Sequence, residues 1–427
     1  MCFFISKVQA ESYIDSINAN TCFDKVEKKI NIIVFDDGPV FPNEKVFDDR
    51  VYYFRKNNNE VITARDPSAP KCGSSPPYGI HATGIASVLS GNCIEVAEDF
   101  SWYKFWKYCE LLNSKLPICG IAKKSRFISI PNVATYSHEV ANQIKDILSN
   151  SWVDTITYIK KGETKKFFES DDVNTLINAS IMVPYDSTKD FRPYDNVQLP
   201  DGRIVMIKNI QDLFNVQYNI IEQLLETISA RRGSPADRFE RLILIVPAGN
   251  NGKLLQKEDI DKFPFPQSLY KYNKVIVVGA TYNNKSPKFA DKNSNYSPNI
   301  VSIAAPGVNI PVLNVNCYAH NVSGTSISVP MVTAAIACIW TCNPSMYADD
   351  VIKILFQQST KLDSLKGYVK ESRYLNVCAA VNAVCDVEPH IPKKKSEKKL
   401  DDASDIILST PIKHERNDTK KSLKDEL

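Results

Sequence analysis

A serine attacks a carbonyl only if a base takes its proton, a third group orients the base, and donors hold the oxyanion that forms. Four short segments of the chain carry parts of that kind. Ile33-Val34-Phe35-Asp36-Asp37-Gly38 sets a carboxylate, Asp36, at the end of a β-branched apolar run. His81-Ala82-Thr83-Gly84 opens a run of small and apolar residues with a histidine. Pro247-Ala248-Gly249-Asn250-Asn251-Gly252 joins a side-chain amide donor, Asn250, to Gly249, whose missing side chain lets a substrate come close. Ser323-Gly324-Thr325-Ser326, followed by Pro330 and the apolar stretch Met331 to Trp340, puts Ser326 at the start of a buried helix, where backbone N–H groups are free to bind an anion.

Each segment has a bland reading on its own. Asp-Gly after a strand is an ordinary turn, Asn-Gly a common loop, and a serine before an apolar helix a structural cap. The chain has five histidines, and His390 and His414 fall in a lysine-rich tail, which leaves His81, His138 and His320 as bases. His138 lies in a polar stretch with no orienting context. The constellation is specific where its members are not.

The elements that must position these groups are legible as buried strands. Ile30 to Phe35, Leu242 to Val246 and Val275 to Val278 are short, β-branched and stopped by turn residues. Helix-like stretches lie between them, such as Tyr218 to Ile228, where Ile220, Ile221, Leu224, Leu225 and Ile228 share one face. The expected fold class is α/β, a mostly parallel central sheet with helices on both faces. The expected domains are an N-terminal segment 1–29, a main domain 30–386 with insertions near 93–119 and 182–215, and a lysine-rich, disordered tail 387–427. The first insertion carries Trp102, Phe105, Trp106 and Cys109 at helical spacing, an aromatic face expected to pack on its own domain. The second contains the turn Pro200-Asp201-Gly202.

Composition narrows the function classes. The 427 residues are 43% hydrophobic and carry a formal charge of +3, too little for their size to imply a nucleic-acid or membrane-surface partner. No run approaches the ~18 apolar residues expected of a membrane span. The apolar stretch at Met1 to Ala10 is too short for a secretory segment. Eleven cysteines are an odd number with no C-x-x-C spacing. Cys338 and Cys342 are expected as buried free thiols on one helix face, and Cys72 and Cys93, which flank the His81 segment, are a candidate disulfide. The C-terminal Lys424-Asp425-Glu426-Leu427 is the retention signal of the endoplasmic reticulum lumen, read only by a protein that enters it; localisation is otherwise open.

Taken together, the four segments resemble the subtilisin-like serine proteases, whose motifs run in the same order: Asp-Asp-Gly after a strand, His-Gly-Thr, Ala-Gly-Asn and Gly-Thr-Ser-x-x-x-Pro. The resemblance extends over roughly residues 30 to 386: Gly120-Ile121-Ala122, Ile177-Asn178-Ala179-Ser180, Ala305-Pro306-Gly307 and Leu375-Asn376-Val377 are similar to further family motifs. It implies Ser326 as nucleophile, His81 as base, Asp36 as its orienting partner, Asn250 as an oxyanion donor, and Ser180 and Gly249 at the substrate. Asp37 is then a turn residue.

The pattern also departs from the family. Ala82 replaces the glycine after the histidine, and Ser180-Ile181-Met182-Val183 stands where the family has Ser-x-Gly-Gly along its substrate cleft. Asn43, after Pro42, stands roughly where the family has an aspartate serving calcium, so no metal ligand is named and calcium is left open. About 35 residues precede Asp36, expected to leave no room for the inhibitory pro-segment of many family members, so either the protein folds unaided or its true start lies upstream. The expected function is a serine endopeptidase acting on protein or peptide substrates. A non-catalytic peptide-binding protein on the same scaffold is the alternative, and an esterase is disfavoured for want of a Gly-x-Ser-x-Gly elbow.

Overall fold

The computed structural model describes residues 13–19, 30–55, 60–66, 69–71, 79–97, 115–131, 157–160, 163–166, 174–181, 195–198, 204–207, 241–256, 269–270, 272–283 and 286–385. The chain divides into a unit Met1–Val387 and a unit Glu388–Leu427. The second unit, the aromatic face at 102–109 and the apolar face at 218–228 lie outside the described residues.

The first unit is built on strands β1 (Asn31–Asp36), β2 (Val51–Arg55), β3 (Glu60–Thr63), β4 (Ile94–Ala97), β5 (Lys115–Ile118), β6 (Arg126–Pro131), β7 (Thr157–Lys160), β8 (Glu163–Lys166), β9 (Thr175–Ala179), β10 (Asp195–Gln198), β11 (Ile204–Ile207), β12 (Leu242–Pro247), β13 (Val275–Tyr282), β14 (Ile303–Val308), β15 (Ile310–Leu313), β16 (Ala319–Val322), β17 (Thr360–Lys361) and β18 (Arg373–Tyr374). The main sheet runs β17-β18-β14-β13-β12-β9-β1-β6-β2-β3-β7-β8. From β14 to β2 every neighbouring pair is parallel. Parallel strands covered by other layers are buried on both faces, which is why residues 32–35 of β1 and 242–246 of β12 read as unbroken apolar runs. The chain lays down β1, β2 and β6 on one side, then crosses back to place β9 on the other side of β1. That reversal opens a crevice at the carboxyl ends of β1 and β9.

Helices α1 (Tyr13–Ser16), α2 (Glu44–Phe47), α3 (Ile80–Ser90), α4 (Thr325–Cys342), α5 (Ala348–Gln357) and α6 (Val377–Cys385), with two 3₁₀ turns at Asp363–Leu365 and Lys370–Ser372, complete the described elements. Among the described residues α4 is long and apolar enough to cross a membrane, yet it is the core helix, buried from Thr325 to Thr341 and packed on α3, β9, β12, β13 and β14. The segment after α1 is tied to the start of α6, Ile17 and Asn18 offering their carbonyls to the N–H groups of Val377 and Cys378. Buried Tyr13 donates its hydroxyl to the Cys119 carbonyl.

The cysteine expectations need correction. Cys93 pairs with Cys119, not Cys72, because the antiparallel register of β4 and β5, Ile94 opposite Ile118, brings their Cα atoms to 4.1 Å. Cys342 is not free: the last residue of α4 meets the last of α6, and Cys342 bonds Cys385 at a Cα separation of 5.0 Å. Cys317 and Cys378 are also disulfide-bonded. Among the described residues Cys338 alone is a free thiol, buried and pushed up to about 12 by burial.

Arg50 organises the other side of α3. Its guanidinium is buried and donates to the carbonyls of Phe47 (2.8 Å), Val46 (3.0 Å) and Ser90 (2.7 Å) and to Asn92 Oδ1 (2.8 Å), closing the C-terminal ends of α2 and α3 together. A cation at two helix C-termini also meets the negative ends of both dipoles.

Candidate active site

Asp36, Ser180 and Asn250 follow one another across the crevice because β1, β9 and β12 are adjacent parallel strands ending at one level. Asp36 is the last residue of β1 and fully buried, Ser180 follows β9, and Asn250 follows β12 by three residues. His81 is the second residue of α3. The first turn of α3 is held to the segment after Asp36 by Thr83, whose hydroxyl accepts from the Phe41 N–H (2.9 Å) and donates to the Gly79 carbonyl (2.8 Å). Ser326 is the second residue of α4. The turn before it is anchored by the Ala305-Pro306-Gly307 segment. Gly324 N–H donates to Gly307 (2.7 Å), and the Ser328 hydroxyl lies 3.1 and 3.0 Å from the Ala305 and Pro306 carbonyls.

These anchors bring three distant side chains into line. His81 Nδ1 is 2.7 Å from Asp36 Oδ1, and His81 Nε2 is 2.8 Å from Ser326 Oγ. The Asp36 carboxylate selects the tautomer with the proton on Nδ1, leaving Nε2 to accept from the serine hydroxyl. Asp36 Oδ1 also accepts from the Asp37 N–H at 2.7 Å, while Oδ2 is buried and has no hydrogen-bond partner among the described residues. Burial draws the imidazole down, but the Asp36 charge, its hydrogen bond and the Asp37 charge outweigh that and raise His81 to about 9. Asp37 stands at the cleft edge. Loss of hydration and the adjacent Asp36 carboxylate raise it to about 6.

The Asn250 side of the crevice is equally specified. Asn250 Oδ1 accepts from both the N–H and the hydroxyl of Thr325, each at 2.8 Å. With its oxygen held, the amide turns its N–H₂ end toward the Ser326 side, where a Cβ at Gly324 would lie 3.3 Å from Asn250 Nδ2 and 3.4 Å from Ser326 Oγ. Glycine at 324 therefore keeps that space open. Asn295 braces the loop, its Oδ1 accepting from Asn251 (3.1 Å) and Lys253 (3.0 Å) and its amide donating to Ala248 (3.0 Å).

Asp36, His81, Asn250, Ser180 and Ser326 all line one cavity of about 290 Å³, with Asp37, Ile181 and Thr325. Gly249 is buried beside it rather than in its lining. Its N–H donates to Thr325 Oγ1 (3.1 Å), its carbonyl accepts from Asn295, and its φ of 101° is a conformation that glycine adopts without strain. The segment after Ile181, where the family's glycines stand, lies outside the described residues.

A calcium ion finds no fitting donors at Asn43. Its Oδ1 is committed to the N–H groups of Lys45 (3.0 Å) and Val46 (3.3 Å) as the cap of α2, and the nearby carbonyl oxygens of Val46 and Phe47 are taken by Arg50. Thr325, Asn295, Asn178 and Thr333 are site residues that sequence reasoning missed. The last two had a visible signal, since each is a lone polar residue in an apolar run.

A family model described as the subtilase family matches residues 27–376. The chain is similar to the A-subunit of the subtilase cytotoxin of Escherichia coli, 27% identical over 169 residues that cover 36% of this chain and 48% of that protein. It is 31% identical to subtilisin-like protease 1 of Plasmodium falciparum (isolate 3D7) over 122 residues, 28% of this chain and 18% of that one. The matches thus span about half or less of these relatives' lengths. Among solved structures, the A-subunit of the AB5 toxin from E. coli superposes with a TM-score of 0.56 at 20% identity, covering 87% of this chain and 99% of that one, a likeness of fold.

Proposed function

The chain belongs to the subtilase family of serine peptidases, and from that premise we propose that it is a serine endopeptidase in which Asp36, His81 and Ser326 form the catalytic triad. The single observation that carries this reading is the unbroken line of hydrogen bonds from Asp36 through His81 to Ser326, at 2.7 and 2.8 Å.

In this reading Ser326 Oγ attacks the peptide carbonyl while His81 Nε2 takes its proton. Asp36 holds the ring by Nδ1–H and stabilises the imidazolium. The oxyanion is received by Asn250 Nδ2 and the Ser326 backbone N–H, donors that sit in place before the reaction. As the tetrahedral intermediate collapses, His81 returns the proton to the leaving amine and an acyl-enzyme ester remains on Ser326. A water molecule, deprotonated by His81, then attacks that ester and releases the acid. Protein or peptide is the substrate class that the family supports. The disulfides Cys93–Cys119 and Cys342–Cys385 favour an oxidising compartment as its place of action.

The test is labelling by a fluorophosphonate together with cleavage of a peptide library. The folded wild type should label at one serine and cleave internal bonds, and Ser326→Ala should do neither. Absence of labelling in folded wild type would return the chain to the alternative of a non-catalytic peptide-binding protein.

A further inference from the structure

Pro330 stands inside α4, four residues after Ser326. In an α-helix the carbonyl of residue i accepts from the N–H of residue i+4, and proline has none. The Ser326 carbonyl, on the residue proposed as nucleophile, is therefore deprived of its ordinary helical partner. A buried carbonyl left without a donor costs about 1–3 kcal/mol, so the helix start is held in place only if something replaces that N–H.

Ser180 supplies the replacement. Its hydroxyl is buried and donates to the Ser326 carbonyl at 3.1 Å. The direction of that donation is fixed from behind, because Asn178 Nδ2 donates to Ser180 Oγ at 2.9 Å and so leaves the hydroxyl proton for Ser326. Asn178 is fixed in turn by Thr333 on α4, whose hydroxyl lies 3.1 Å from Asn178 Oδ1 and 3.0 Å from the Val329 carbonyl. Asn178 and Thr333 are both fully buried. Residues 178 and 180 share one face of β9, and 326 and 333 lie two turns apart on one face of α4, so the chain of polar groups runs along the seam between strand and helix. An amide placed in the central strand of a sheet costs stability unless it is bonded. Here its bonds end on the residue that carries the reactive oxygen.

We propose that Ser180, oriented by Asn178 and Thr333, is a positioning residue for Ser326, and that its hydroxyl serves the nucleophile's backbone rather than the substrate. The proposal rests on the reading of Ser326 as nucleophile. It assigns Pro330 a reason as well: by removing one N–H it transfers control of the Ser326 carbonyl from the helix to the strand that lines the cleft.

The experiment compares wild type, Ser180→Ala, Ser180→Thr, Pro330→Ala and the double variant Ser180→Ala/Pro330→Ala. It uses a fluorogenic peptide drawn from the library and the second-order rate of fluorophosphonate labelling. Misplacement of a reacting group by about 1 Å can cost ~10²-fold, so Ser180→Ala should lose about 10- to 100-fold in kcat with KM within about twofold. Labelling should slow in parallel, since the small probe does not use the peptide cleft. Ser180→Thr keeps the hydroxyl and should stay near wild type. The double variant regains a backbone N–H for the Ser326 carbonyl and should recover most of the loss. An effect confined to KM, unchanged labelling in Ser180→Ala, or no recovery in the double variant overturns the proposal while leaving the peptidase reading intact. A wild type that does not label overturns both. If Ser180→Ala folds poorly, Ser180→Cys, close in volume and a weaker donor, carries the same expectation at smaller amplitude.

Discussion

Thr325 grips Asn250 by its oxygen alone: backbone N–H and side-chain hydroxyl both stand 2.8 Å from Asn250 Oδ1, so the amide has one available orientation and its N–H₂ faces Ser326. A donor that needs no reorganisation during the reaction stabilises developing charge far better than one that must turn. The residue before the proposed nucleophile thus sets the far wall of the proposed oxyanion site.

We predict that Asn250→Ala folds normally and loses about 10²–10³-fold in kcat with little change in KM, the usual effect of removing one oxyanion donor. Thr325→Val keeps the shape and the N–H bond but drops the hydroxyl, and should lose less, in kcat again. Steady-state kinetics on one peptide measure both. A larger change in KM than in kcat for either variant would count against the assignment.

The pH dependence follows from His81. The base must be neutral to accept the Ser326 proton, and the two carboxylates beside it raise it to about 9. Activity should therefore be low in acid, where the imidazolium is already formed, and rise with pH along a limb centred near that value. Asp37→Asn removes one of the two charges that favour the imidazolium, so the limb should move to lower pH. Profiles of kcat/KM for both proteins decide it, and an unmoved limb in Asp37→Asn would sink the electrostatic account.

Arg50 should be a determinant of stability rather than of chemistry. Arg50→Met fills the space but leaves carbonyls of α2 and α3 without donors, and a hydrogen bond to a charged group contributes about 1.5–3 kcal/mol. We predict a loss of at least about 3 kcal/mol by denaturant unfolding, with kcat of the remaining folded protein within a few-fold of wild type.

Loss of either of two disulfides should weaken the fold. The disulfides Cys93–Cys119 and Cys342–Cys385 close segments with sequence separations of 26 and 43. On the chain-entropy account each such closure contributes about 3–4 kcal/mol. Cys342→Ser and Cys93→Ser variants, unfolded in denaturant beside the wild type, should each show a loss of that order. Equal stability of either variant and wild type would refute it.

Much of the site is legible in the sequence, for identifiable reasons. Asp36 stands out because an apolar run stops on it, and Ser326 because glycine precedes it and an apolar helix follows. Arg50 does not, since Asp48-Asp49-Arg50 reads as solvated charge and its burial depends on two helix ends converging. The pairing of Cys93 is hidden in the register of β4 against β5, which no local pattern fixes. Thr325 looks like a spacer because its partner Asn250 lies 75 residues earlier. In each case the missing information is a contact between segments remote in sequence.

The free thiol of Cys338 gives the molecule a built-in clock. It lies near the end of the helix whose second residue is Ser326, is almost wholly out of solvent, and is held protonated by its surroundings. A thiol so placed reacts with an alkylating reagent only after α4 leaves the core, and α4 packs on too many strands to leave alone. The rate at which Cys338 is trapped should therefore equal the rate at which activity is irreversibly lost on heating, so that one residue times the survival of another at the opposite end of the same helix.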